Sequence, residues 1–287
     1  MLTLFSTPKP FEGHIGIIQR NALTSWKRLH PEADIILFGD EQGTQEVCQE
    51  LGLRHEPDVE RTEDGPPSVR SLFGRAQEIS RYPLLCYSNC DIILRSDFLR
   101  ALQAVSDCRR EFLMVGRRWD LDRDRPIDFD QAGWVETIRG EALRANVQRP
   151  GNYIDYFVFP RGLFTGLLPL AIGRFSWDNY LLWCARSRGA ELVDASLSVL
   201  AIHQNHDYSH YSGGTADIRE GPERKRNREM VGPWWRLYTI EDATQILTAE
   251  GARPCYRHTW LMMKRLWSHP LTIVQWPWFA LRSMRRT

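Results

Sequence analysis

The chain has 287 residues, 43% of them apolar and 25% charged, enough for one large α/β domain or two small ones with a proper core. Its 37 basic and 36 acidic residues leave a net charge of +1, so no global field favours nucleic acid as a partner. The cysteines are scattered without a CxxC pair, which reads as reduced thiols in a cytoplasmic protein. The N-terminus lacks the pattern of a secretory signal, and no apolar run reaches the roughly 18 residues of a membrane span.

Leu2 to Ser6 reads as a short buried strand. Ile15, Ile18, Ala22, Trp26 and Leu29 then recur at helical spacing, and His30-Pro31 stops that helix. Asp34 to Phe38 is a second strand, followed by a short helix near Glu46 to Leu51 and an extended piece near Leu53 to Val59. Ser68 opens a helix with Val69, Leu72, Phe73, Ala76 and Ile79 on one face. The strand Leu84 to Tyr87 leads through Ser88-Asn89-Cys90-Asp91 into Ile92-Ile93-Leu94. Such alternation predicts a mostly parallel sheet flanked by helices, with ligands at the carboxyl ends of its strands.

Further on, Phe112 to Val115, Tyr156 to Phe159 and Val199 to His203 read as strands, and Asp178 to Arg188 as a helix. Residues 207–232 have no apolar periodicity and read as a flexible basic loop. Arg224 to Arg228 within it suit a lid over a diphosphate. The expected division is a catalytic domain over 1–232 and a helical tail over 233–287.

In an extended segment Asn89 and Asp91 point the same way. An amide oxygen and a carboxylate there suit Mg²⁺ or Mn²⁺, which would neutralise a leaving diphosphate. Acids two apart also occur at Asp120/Asp122, Asp122/Asp124 and Asp128/Asp130, in an Arg-rich loop that reads as solvated and charge-balanced. His203, His206 and His210 end a late apolar run and offer either further ligands to that ion or a separate zinc site. Ser176 reads as an N-cap that puts Asp178 in the first turn of its helix.

The βαβα start and an apolar strand closing on an Asp-x-Asp-like motif resemble the GT-A glycosyltransferases over roughly residues 1 to 206. The resemblance implies a Rossmann-like fold and transfer of a sugar from a UDP- or GDP-sugar donor to a glycan or lipid-linked acceptor. It matches Asp91 to the last acid of the motif and Asn89 to its first position, where Asn removes a charge. It implies His203 as a further metal ligand, Mn²⁺ fitting an imidazole better than Mg²⁺. Thr3, Phe5, Thr7 and Asp40 lie where this family reads base and ribose, and Arg70 and Arg75 precede the motif within reach of ribose or diphosphate. Asp178 is the implied general base of an inverting reaction, with Asp155 as second choice or as a contact to donor hydroxyls. Trp134, Tyr153 and Trp177 could stack on sugar rings. A nucleotidyltransferase and a non-catalytic sugar-binding protein are the rival readings; the former lacks a convincing Gly-rich phosphate loop.

The tail from Tyr256 combines Trp260, Trp267, Trp276 and Trp278 with basic residues and no acids. That composition suits a helix at a membrane surface, hence a peripheral position at the inner face, or else packing on a partner.

Overall fold

In the computed structural model, which describes residues 1–63, 65–206 and 221–268, the first half follows the expected alternation. It runs β1 (Leu2–Ser6), α1 (Gly13–Lys27), β2 (Asp34–Phe38), α2 (Thr44–Leu51), β3 (Arg54–Glu56), α3 (Val69–Ile79), β4 (Leu84–Ser88) and β5 (Ile92–Ile93). Then come α4 (Ser96–Ser106), β6 (Phe112–Val115), β7 (Arg118–Leu121), α5 (Trp134–Ala145), β8 (Tyr156–Pro160), α6 (Trp177–Ser187), β9 (Glu191–Asp194) and β10 (Ala201–Gln204). The last described elements are α7 (Pro222–Val231), β11 (Gln245–Thr248), β12 (Gly251–Pro254) and α8 (Arg257–Ser268).

Nine strands form one sheet in the order β12-β11-β9-β6-β8-β4-β1-β2-β3. Its strands are parallel except β8, which runs against both β4 and β6, and the edge strand β12. The fold is therefore α/β, a mostly parallel sheet between helices. Alternating side chains of each strand divide the core between the two faces. Phe5, Ile36, Phe38 and Tyr87 pack with α3 and α6, while Leu4, Leu37 and Cys86 pack with α1, α2 and α4.

A second sheet, β5-β10-β7, stands beside the first. The turn from Asn89 to Asp91 joins the two. Helix α1 fastens the small sheet: Trp26 Nε1 donates to the Ile92 carbonyl at 2.8 Å, and Asn21 Nδ2 to Gln204 Oε1 at 2.8 Å. Gln204 then donates from its backbone N to the carbonyl of Asp91 at 3.1 Å, fixing the turn from beneath.

The stretch expected to be a loop contains α7. Residues 222–231 hold a helix because Asn227, fully buried, ties it to the segment before α6. Asn227 Oδ1 accepts from Ala171 N at 2.8 Å, and Nδ2 donates to Ala171 O at 3.0 Å and Phe175 O at 3.3 Å. Arg226 pairs with Glu63 at 2.7 Å, so part of the basic run is engaged by protein. Residues 207–220 and 269–287, with His210 and the tail tryptophans Trp276 and Trp278, lie outside the described residues. Among those described, no helix is long and apolar enough to cross a membrane.

Asn227→Ala removes all three hydrogen bonds and strands the buried amide of Ala171. It is expected to cost about 2 kcal/mol or more, read as a lower urea midpoint at unchanged slope. A loss below roughly 0.5 kcal/mol, the level of a surface change, would show that α7 is held by something else.

Candidate metal and donor site

The carboxyl ends of β1, β2 and β4 and the start of the reversed strand β8 share one rim of the large sheet. Four segments meet there: the loop after β1, the turn after β4, the approach to β8, and the first turn of α6.

Asp91 is 8% exposed and faces two imidazoles. Its Oδ2 lies 3.2 Å from His206 Nε2 and 3.8 Å from His203 Nε2. One ligand atom from each residue falls within 4.8 Å of the others. Asp91 Oδ1 is buried without a hydrogen-bond partner, an unmet acceptor of the kind that a cation would satisfy. Burial alone would raise the Asp91 carboxyl. The positive field of His203, the hydrogen bond from His206 and the charge of Lys9 outweigh it and hold the group well below the usual carboxylate range. One carboxylate oxygen and two imidazole nitrogens fit a divalent ion.

Asn89 does not join this group. The expected extended geometry is a turn, closed by Ile92 N donating to the Asn89 carbonyl at 3.2 Å, so the two side chains diverge. Asn89 Oδ1 accepts from the Tyr87 hydroxyl at 3.0 Å, and its Nδ2 donates to Asp155 Oδ1 at 2.7 Å. Asn89 braces the turn. His206, which the sequence offers beside His203 and His210 as a further ligand, is the third member of the group.

Asp120 emerges from the acidic run as part of the site. Strand β7 pairs with β10 so that Asp120 lies opposite His203, and its Oδ1 is 3.4 Å from His203 Nδ1. Asn205 Oδ1 approaches the same nitrogen at 3.2 Å. A carboxylate on one ring nitrogen orients the other toward a ligand or ion. Asp120 is 1% exposed; burial would raise its carboxyl, but His203, Arg118 and Arg149 bring it down to about 2. Arg118 donates from Nε to Asp120 Oδ1 at 3.0 Å and from Nη1 to both oxygens of Asp155 at 3.1 and 3.0 Å. Asp155 is thus engaged by Arg118 and Asn89, which makes it a strut of the site and removes it from the role of base.

Asp178 stands in the first turn of α6 as expected, its Oδ1 accepting from Asn179 N at 2.9 Å. Its carboxyl is pushed up to about 7, by burial first and by the charge of Asp155, against the Asn179 amide hydrogen bond. The preceding Ser176 takes a left-handed φ of 84° and makes no side-chain cap, its buried hydroxyl lacking a partner. Trp177 packs edge-on to Tyr87 with centroids 5.3 Å apart, which puts α6 beside the turn and buries that ring in the core.

Other expected donor residues divide by their place on the strands. Thr3 lies near the start of β1, away from the rim, where its hydroxyl donates to Asp34 Oδ2 at 2.9 Å. Phe5 is fully buried among Phe38, Phe73, Tyr87 and Phe159. Neither can touch a ligand. Thr7 follows β1 and keeps a buried hydroxyl without a partner. Asp40 is exposed beyond β2 and pairs with Arg61 at 3.0 Å. It lines a cleft of about 460 Å³ with Glu41, Thr44 and His55. Arg70 is exposed in the first turn of α3, and Arg75 pairs with Glu56 and Glu78 on the outside of that helix. Trp134 packs on Phe129, whereas Tyr153 is 40% exposed beneath the guanidiniums of Arg118 and Arg149.

No family model matches the chain, and no curated protein matches it in sequence. It is similar to the solved structure of glucosyl-3-phosphoglycerate synthase from Mycobacterium tuberculosis with Mn²⁺, uridine diphosphate and glucosyl-3-phosphoglycerate. That likeness has 15% identity, a TM-score of 0.45 and coverage of 72% of each chain. Another structure of that synthase gives 13% identity and a TM-score of 0.49, over 79% of this chain and 77% of that one. TarS residues 1–349 from S. aureus with UDP-GlcNAc gives 10% identity and a TM-score of 0.48, over 73% of this chain and 60% of that one. Likenesses of this degree do not decide the reaction, which has to come from the side chains.

Asp120→Asn is expected to weaken Mn²⁺ binding by roughly 10- to 100-fold in calorimetric titration while circular dichroism stays native. An unchanged affinity would mean that Asn205 alone orients His203.

Proposed function

We propose that the chain is a metal-assisted glycosyltransferase of GT-A type, moving a sugar from a nucleotide diphosphate donor to an acceptor hydroxyl. The observation that carries this reading is the buried Asp91, with one oxygen unmet and the other facing His203 and His206, at the carboxyl rim of a mostly parallel sheet. That is where this architecture presents phosphates.

Asp91, His203 and His206 would hold the ion, and the two imidazoles favour Mn²⁺ over Mg²⁺. Such an ion, when bound, offsets the charge that develops on the leaving diphosphate. Asp120 and Asn205 fix the His203 ring, and Asn89 fixes the turn. Thr7 and the cleft beside Asp40 lie on the same rim and suit the ribose and base. Asp178 takes the proton of the attacking hydroxyl. Its raised carboxyl, about 7, matches that task, because a base works best when its affinity for the proton lies near the working pH. A raised acid in the first turn of α6 favours an inverting displacement through Asp178. Tyr153, partly exposed and braced by two guanidiniums, is the aromatic that suits contact with a sugar. A glycan or a lipid-linked acceptor is the class this reading favours.

A membrane role for the tail rests on composition and exposure. Tyr256, Trp260 and Met263 are 78%, 59% and 51% exposed at and in α8, and residues 251–287 contain no acid. These features support docking on an anionic leaflet.

Asp178→Asn is expected to lower kcat by about 100-fold or more with UDP- or GDP-sugar donors. Because the base must be ionised, wild-type kcat should rise with pH up to about 7 and level off above, and the variant should lose that limb. A variant that keeps both rate and limb would move the base elsewhere. For the tail, anionic liposomes should retain the full chain in sedimentation and zwitterionic ones should not; equal recovery in the supernatant rejects docking.

A further inference from the structure

The loop after β1 brings an ammonium to the metal cluster. Lys9 Nζ lies 3.0 Å from His206 Nε2, the same nitrogen that sits 3.2 Å from Asp91 Oδ2. One nitrogen cannot serve both contacts. Carrying a proton, Nε2 donates to Asp91 but has nothing to offer the Lys9 N–H. Without a proton it accepts from Lys9 but sets its lone pair against a carboxylate oxygen. The positive charge of Lys9 resolves the conflict in part, since it also lies close enough to help hold Asp91 ionised.

The backbone of Lys9 is pinned by Gln19, while its side chain is held only at its end, by the contact to His206. Gln19, 2% exposed on α1, accepts from Lys9 N at 2.7 Å and donates to Lys9 O at 2.8 Å. The lysine thus has a fixed root and a four-carbon arm that can swing.

We propose that Lys9 stands in for the divalent cation while the site is empty, and becomes a diphosphate ligand once the cation binds. This rests on the donor reading above. An ion held by Asp91, His203 and His206 would use the Nε2 lone pair that Lys9 now faces and would place like charge beside the ammonium. Lys9 would then have to leave, and the diphosphate brought by such an ion would offer its ammonium a new partner. Thr7, two residues back on the same loop, adds its unmet hydroxyl to that cradle.

The test uses Lys9→Met, with Lys9→Gln as a second neutral variant and Lys9→Arg to retain the charge. Mn²⁺ binding is followed by electron paramagnetic resonance, and inorganic pyrophosphate binding to the Mn²⁺-saturated protein by calorimetry. The two neutral variants should bind Mn²⁺ alone at least threefold more tightly, because a competing cation is gone. They should bind pyrophosphate at least tenfold more weakly, and Lys9→Arg should recover part of that loss. Effects of opposite sign are the signature; a structural role would weaken both. Loss of both affinities, or no change in either, overturns the proposal. Pyrophosphate binding that survives in the neutral variants overturns it while leaving the donor reading intact. If the wild type binds Mn²⁺ but no pyrophosphate, the donor reading and the diphosphate role fail together, while the Mn²⁺ measurement still judges the stand-in role.

Discussion

A charged carboxylate kept almost out of water, at the joint between two sheets, is the constraint around which the rest of this molecule is arranged. Asp91 cannot be buried as an anion unless positive charge or donors surround it. The fold supplies them from three directions: His203 and His206 from the end of the small sheet, Lys9 from the loop after β1, and the field of Arg118 from β7. Each of those elements depends on another contact, Gln204 under the turn, Gln19 under Lys9, Asp120 and Asp155 around Arg118. The polar interior is therefore continuous from α1 to β7. Its members share one electrostatic balance.

Much of the frame was legible in the residues. Strands β1, β2 and β4 are apolar runs buried on both faces, and α1 and α3 show helical spacing, so their pattern and their burial agree. The second half was harder because its elements are short and mixed. Strand β7 reads Arg-Trp-Asp-Leu and is a strand through its pairing with β10, about eighty residues later, and with residues 147–149 on its other side. Asp120 reads as one of several solvated acids for the same reason: its contacts to His203 and Arg149 come from distant segments, and nothing local announces them. Asp91 is visible through the Asp-x-Asp-like pattern after β4, and His203 through its place at the end of a late apolar run. Asn89 parts from Asp91 because residues two apart share a side only in extended chain, and this segment is a turn. Thr3 and Phe5 were assigned to the right strand but lie before its end, and position along a strand decides whether a side chain meets core or ligand.

The start of α6 shows what the site costs the fold. Ser176 holds a left-handed φ that a side chain disfavours, and its hydroxyl caps nothing. Two residues on, Asp178 sits where burial resists its charge. Both features are unfavourable for stability alone, and both are tolerated because Trp177, Tyr180 and Leu181 anchor the helix in the large core. That anchoring keeps the Asp178 carboxyl raised, since a carboxylate free to rotate into water would lose its elevated proton affinity.

The reversal of β8 has a further consequence. Because this strand runs backwards, the chain reaches the rim with Asp155 before entering it, so the rim gathers groups both after forward strands and ahead of a backward one. The opposite rim is left with plain connections at 28–33, 80–83, 107–111 and 161–163, laced by Arg161 to Ser80 and by Tyr82 to the Glu32 carbonyl. None of these bends carries a group that the site uses. Buried polar groups and plain connections are thereby sorted to opposite poles, and a tether or fused partner joined to the quiet pole would leave the rim with Asp91, His203 and His206 uncovered.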